Sequence, residues 1–204
     1  MEHIFTPPRP WLAAYGTSIP QELGELRYRS IADLVDQSCA ANGPRKAFTC
    51  VVPNGMNGSL TYSEVGEMSD AFAAFLHHDC GLRAGDRVAV QLPNGLPYPV
   101  VAFGVFKAGC VLVNTNPLYT PHEMIHQFND SGADVIVIVA NFASNLEKIR
   151  SEIQAKHIIT TELGDMLGGL KGFIVNVVVK HVKKMVPLFQ LPGAVSLKKA
   201  LSLG

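Results

Sequence analysis

His122-Glu123-Met124-Ile125-His126 sets two imidazoles one helical turn apart, with a carboxylate beside the first. On a helix, that spacing could hold zinc through both rings and use the glutamate to activate water, the chemistry of a zinc hydrolase. Glu147 offers a third ligand further along the chain. Three features oppose this reading. Pro121 places His122 in the first, exposed turn of its helix. Thr120 and Glu123 have the T-x-x-E spacing of a capping box, which commits the glutamate to backbone N–H groups. The apolar run Val135–Val139 lies between the motif and Glu147, so a strand is expected to separate the two helices. The zinc hydrolase is therefore a remote alternative, and no metal ligand is assigned. His3, His77, His78, His157 and His181 are isolated or at element ends, without ligand spacing.

Phosphate chemistry also lacks a home in these residues. The loop Pro93-Asn94-Gly95-Leu96-Pro97 follows an apolar run but is not the G-x-G-x-x-G of a dinucleotide site. No G-x-x-x-x-G-K-[ST] occurs. The glycine-rich stretch from Gly164 to Gly172 has the wrong order and no hydroxyl after Lys171. No G-x-S-x-G elbow or Ser/His/acid set is written. Catalytic and cofactor-binding residues are accordingly assigned to no position. Cys39, Cys50, Cys80 and Cys110 form no C-x-x-C pair and read as reduced thiols of a cytoplasmic protein.

The elements around these positions alternate. Apolar runs at 87–92, Val111–Asn114, Val135–Val139 and His157–Thr161 read as strands, and 98–108, 120–130 and 146–155 as helices. That order predicts an α/β fold, a largely parallel sheet flanked by helices. Upstream, Ser30 caps a helix through 41, stopped by a left-handed Asn42-Gly43 and by Pro44. Strands at 47–52 and 60–62, joined by the turn-rich 53–58, predict an N-terminal β-hairpin, and 63–78 a helix. Three sections follow: an arm and helix (1–45), an α/β sheet subdomain (46–165) and a tail (166–204).

With 48% hydrophobic and only 17% charged residues, the chain has ample material for a core and a body suited to being covered by further protein. Its net charge of zero hides an asymmetry: the tail carries six lysines and no acid. Such a body is not expected to bind nucleic acid. Within 170–186, Leu170, Phe173, Ile174, Val177, Val178, Val182 and Met185 share a helical stripe, and Lys171, Lys180, Lys183 and Lys184 lie mostly opposite. The stripe either docks on the sheet or lies in a membrane interface. In the second case Phe173, Val177, Lys180, Lys183 and Lys184 face the membrane.

Several strings together carry a resemblance. Leu60-Thr61-Tyr62, Gly85-Asp86-Arg87-Val88, Leu92-Pro93-Asn94, Lys107-Ala108-Gly109 and Asn116-Pro117 follow in order the opening half of the adenylate-forming ligases. Asn116-Pro117-Leu118-Tyr119-Thr120-Pro121, His126-Gln127, Asn129-Asp130-Ser131-Gly132-Ala133 and the tail from Lys171-Gly172 to Leu191-Pro192 are more specific. They resemble the bacterial long-chain fatty acid–CoA ligases. The resemblance implies the N-terminal part of those enzymes' large domain. It also implies a fatty acid substrate, with ATP, Mg2+ and CoA serving the complete enzyme: adenylation of the carboxylate, then displacement of AMP by the CoA thiol. The family's phosphate loop and its magnesium, ribose and lysine motifs match nothing here. The expectation is a section inactive alone, or a non-catalytic lipid- or partner-binding module derived from a ligase. A sheet face left uncovered would favour a homo-oligomer. Peripheral contact with the inner face of the cytoplasmic membrane is expected of the lysine-rich helix.

Overall fold

The computed structural model describes residues 9–22, 24–52 and 55–204. Helix α1 (Ile31–Asn42) starts at Ser30, whose hydroxyl accepts the Asp33 N–H. It does not end in the expected left-handed residue: Gly43 has φ 16° and returns its N–H to the Cys39 carbonyl. Strands β1 (Lys46–Val51) and β2 (Asn57–Thr61) pair antiparallel as the expected hairpin. Pro53 and Asn54 of its turn lie outside the described residues. Tyr62, expected in the strand, instead opens α2 (Tyr62–His78). Thr61 and Glu64 form a capping box there, with the Glu64 carboxylate accepting the Thr61 N–H at 2.7 Å, and this cap fixes the boundary.

Next come β3 (Arg87–Gln91), α3 (Pro97–Lys107), β4 (Val111–Asn114), α4 (Pro121–Ser131), β5 (Val135–Val139), α5 (Ala143–Lys148), β6 (His157–Thr161), α6 (Gly169–Val177), β7 (Val195–Ser196) and α7 (Leu197–Leu203). The expected capping box of Thr120 and Glu123 is formed at α4. Helix α5 starts earlier and is shorter than the predicted 146–155. After Lys148 the chain tightens into a 3-10 turn, Arg150–Glu152, and leaves it extended at Ile153. That path buries both Ile149 and Ile153.

Five strands form one parallel sheet in the order β4-β3-β5-β6-β7. Every β5 residue is buried, so both sheet faces need cover. Val135, Val137 and Val139 pack with α2, α3 and α7; Ile136 and Ile138 pack with α4 and α5. The hairpin packs with α3 and α6 in a third cluster around Leu60, Leu96, Val100 and Val175.

Lys107 ties α1, α2 and α3 together. Its side chain is only 7% exposed, and its ammonium meets Asp36 at 2.9 Å and Asp70 at 2.7 Å. It also donates to the Gly66 carbonyl. Burial pulls the Lys107 pKa down, but the hydrogen bonds and charges of Asp70 and Asp36 outweigh it and hold the pKa above the ordinary 10.5. The folded value is raised, so this stabilisation is fully present below 10.5 and lost as pH rises through the folded pKa. Both carboxylates are partly solvated, so Lys107→Met should cost about 2 kcal/mol, between a surface and a buried pair. Urea unfolding at pH 7 measures that gap. The gap should shrink in strongly alkaline buffer; a gap independent of pH would mean the ammonium is not the source.

Candidate functional site

Strand order reverses between β3 and β5. The connection from β3 through α3 leads to β4 on one side, and that from β5 through α5 leads to β6 on the other. Right-handed crossovers in opposite directions put α3 on one face and α5 on the opposite one. A crevice then opens at the strands' carboxyl ends, where open α/β sheets place their ligands.

A cavity of about 420 Å3 occupies that crevice. The strand ends supply its floor: Leu92 after β3, Val139 of β5, and Thr161 and Leu163 at and after β6. Pro93, Asn94, Gly95 and Pro97 of the 93–97 loop form one wall. The hairpin adds Cys50, Val51, Val52 and Met56. Val175 of α6 and Val178 and Val179 just beyond it form the roof, with Met185 nearby. Among charged side chains, Glu162 and Lys183 line it. The loop that failed the dinucleotide pattern thus lies at the ligand position of the fold, but its surroundings are apolar.

A buried polar knot holds the roof. Asp165 is 6% exposed. Its carboxylate accepts the Thr161 hydroxyl and the Glu162 N–H, each at 2.9 Å, and pairs with Lys198 of α7 at 2.8 Å. Asn176 of α6 accepts the Gly164 N–H at 2.7 Å and donates to Asp165 at 3.4 Å. Gly164 and Gly172 face each other so closely that a side chain on either would collide with the other's carbonyl oxygen. The sequence offers little signal for this knot beyond the two glycines, because its members come from three elements.

Helix α6 differs from the predicted 170–186 stripe. It is α-helical to Val177, widens into a π turn over Val178–Val182, and ends at Lys184, which has φ 50°. Its buried positions are Gly172 and Val175; Leu170, Phe173, Ile174 and Val177 point outward. The stripe therefore does not dock on the sheet, because the Asp165 knot turns the Gly172–Asn176 side inward.

His122 and His126 are exposed on α4, and Glu147 is half-buried on α5. The two helices lie on one face and touch each other, contrary to the expected separation. Even so, no group of three His, Cys, Asp or Glu is placed to hold a metal ion among the described residues. Thr120 donates its N–H and O–H to Glu123, which holds that carboxyl below its usual range.

The strings behind the resemblance do structural work. Asn116 accepts the Leu118 N–H, and Gln91 donates to the Asn116 carbonyl. Gln127 and Asn129 donate to the carbonyls of Asn114 and Glu152. Gly132 ends α4 with φ 60°, which suits glycine. Cys39, Cys50, Cys80 and Cys110 are free thiols; burial, helped by Asp79, pushes Cys80 up to about 12.

Residues 35–180 match the family described as AMP-binding enzyme, well over half of the chain. The chain belongs to that family. Over 194 residues it is 46% identical to the long-chain-fatty-acid–CoA ligase of Escherichia coli O6:H1, covering 95% of this chain and 34% of that protein. The Haemophilus influenzae ligase of the same description is 43% identical over the same span, again 34% of its length. The chain thus spans about one third of the AMP-binding relatives it matches. Among solved structures, an Archaeoglobus fulgidus long-chain-fatty-acid–CoA ligase superposes with TM-score 0.63 at 19% identity, over 88% of this chain and 33% of that one. The acetoacetyl-CoA synthetase of Streptomyces lividans superposes with TM-score 0.68 at 16% identity, over 85% and 25%. These likenesses show the adenylate-forming fold.

Asp165→Ala would leave the Thr161 hydroxyl, the Glu162 N–H and the Lys198 ammonium without their acceptor. It should cost about 2 kcal/mol in urea unfolding, mostly for the Thr161 hydroxyl and the Glu162 N–H left without an acceptor, since Lys198 is largely exposed. Hydrogen exchange should speed up in α6 before the β5 amides. Unchanged α6 exchange would show that the knot does not hold the roof.

Proposed function

We propose that these residues are the N-terminal section of a long-chain fatty acid–CoA ligase, and that the cavity under α6 receives the substrate's acyl chain. The observation that carries this is an apolar cavity at the point of the sheet where ligands bind, in a chain whose relatives are named for fatty acids. Its size falls within the ~300–1,000 Å3 of small-molecule sites. Burying methylenes there gains about 0.8 kcal/mol each, so a long chain needs few polar contacts to bind. Lys183 supplies a cation at the lining for a carboxylate.

ATP, Mg2+ and CoA enter as requirements of the complete ligase, where ATP makes the carboxylate electrophilic and CoA accepts the acyl group. The cavity does not fit a triphosphate or its magnesium. Its walls are aliphatic, and no acidic cluster for a metal exists among the described residues. What this section contributes is binding: it desolvates the chain and leaves the head group at the mouth. Because fatty acids partition into lipid, the reading also puts the protein at the inner face of the cytoplasmic membrane. No helix among the described residues is long and apolar enough to cross it. A non-catalytic lipid- or partner-binding module derived from a ligase is the second reading, favoured by the aliphatic lining of the cavity.

A fluorescent polyene fatty acid should bind the chain and be displaced by palmitate. Val175→Trp, which fills the roof, should weaken it at least about tenfold, the effect of ~1.4 kcal/mol. Retained binding in Val175→Trp would place the lipid elsewhere. With ATP, Mg2+, CoA and palmitate, no fatty-acid-dependent pyrophosphate should appear; its release would show that the section adenylates by itself.

A further inference from the structure

On the α4 side of the sheet, two amides and a hydroxyl each keep a buried oxygen unmet. Gln91 ends β3 and is fully buried; Thr115, just past β4, is 4% exposed. Val90 pairs with Asn114, and the Thr115 N–H is donated to the Val90 carbonyl at 3.0 Å, so Gln91 and Thr115 stand side by side. Strand alternation turns both toward α4, as it does Ala89 and Val113 before them. Gln91 Nε2 donates to the Asn116 carbonyl at 3.1 Å, and Gln127 Nε2 of α4 donates to the Asn114 carbonyl at 2.9 Å. Turning either amide over would press its oxygen against a carbonyl oxygen, so these bonds fix both orientations. Gln91 Oε1, Gln127 Oε1 and Thr115 Oγ1 are then left without a hydrogen-bond partner among the described residues. Ile138 of β5, the neighbour of Gln91 on its other side, offers nothing polar. Three unmet oxygens tied to three consecutive residues, 114–116, are more than a fold ordinarily leaves buried.

We propose that Gln91, Thr115 and Gln127 form a binding site for one water molecule that joins β3, β4 and α4. The occupant must bring donors, because an amide oxygen only accepts. Water meets the whole set. Its two protons go to Gln91 Oε1 and Gln127 Oε1, and its oxygen accepts the Thr115 hydroxyl. Three bonds are the usual number for a buried water. A metal cation would also find oxygens here. However, no carboxylate bonds to Gln91, Gln127 or residues 114–116 among the described residues, and an uncompensated charge is far more costly to bury than a water. The water completes a polar pin at the carboxyl ends of β3 and β4. From the other layer, Tyr98 of α3 donates to Asn114 Oδ1 at 2.8 Å, so helices on both faces hold the segment that leads into Asn116–Pro121. The site stands on the fold and is independent of the acyl-chain reading.

The sign of one substitution separates a bridged set from three bare oxygens. Thr115→Val keeps the side chain's shape and removes the hydroxyl. With the water in place, it should lower the folding equilibrium constant of the 204-residue chain at least about fivefold in urea unfolding. Bare oxygens predict the opposite, because deleting an unmet buried hydroxyl leaves stability unchanged or raises it. Combined with Gln91→Met, the two losses should fall short of additive, since both act on one water. NMR of the unaltered chain reads the water itself. The side-chain amide protons of Gln91 and Gln127 should show water cross-peaks whose NOE and ROE have opposite signs, as for a water held inside a protein. Unfolding in potassium, sodium and choline chloride at equal ionic strength should coincide. A Thr115→Val chain as stable as the parent, or absence of those cross-peaks, would overturn the proposal. Stabilisation by one metal cation alone, lost in Thr115→Val, would also overturn it and give the site to that cation.

Discussion

Strand β5 has no face to give to solvent, and the rest of the structure answers to that constraint. Val135 to Val139 are buried on both sides, so helices must cover both faces of the sheet. With right-handed crossovers, covering both faces requires the chain to move outward from β3 in one direction and from β5 in the other. That reversal opens the crevice at the strand ends. The cavity is thus a consequence of how a fully apolar central strand is buried, and its walls are aliphatic because the strand ends flanking it are.

Roofing the crevice is a separate task, carried out by polar groups. Asp165 gathers a hydroxyl, a backbone N–H and two side chains from β6, α6 and α7. A charged group this buried is retained only with a full set of partners. The outcome is orientational: it decides which side of α6 faces the sheet. Once Gly172 and Asn176 are turned in, the larger apolar residues have nowhere to go but outward. The exposed stripe and the roofed cavity are two sides of one packing choice.

Much of the fold was legible in the sequence where local signals agreed. Val111–Asn114, Val135–Val139 and His157–Thr161 are strands with the expected bounds, because apolar β-branched runs ended at breakers. Thr120 and Glu123 fixed the start of α4 through a cap readable from spacing alone. The same T-x-x-E spacing at Thr61 and Glu64 is equally readable, and that cap puts Tyr62 in α2 and not in the strand. Long-range choices were not legible. Periodicity across 170–186 suggested one continuous helix with Leu170 and Phe173 among its packing stripe. Gly164, Asp165 and Lys198 decided otherwise from elsewhere in the chain. The site was hidden for the same reason. The 93–97 loop matches no phosphate pattern, and its role depends on a strand order that no local pattern encodes.

The central claim is that a fatty acyl chain lies between the strand ends and the inner side of α6. Isotope-edited NMR of the chain with uniformly 13C-labelled palmitate tests it most directly. The account expects contacts from the palmitate methylenes to the methyl groups of Val139, Val175 and Met56, which line the cavity from three elements. Contacts confined to Leu170, Phe173 and Leu188 on the outer surface, or no contacts at all, would contradict it.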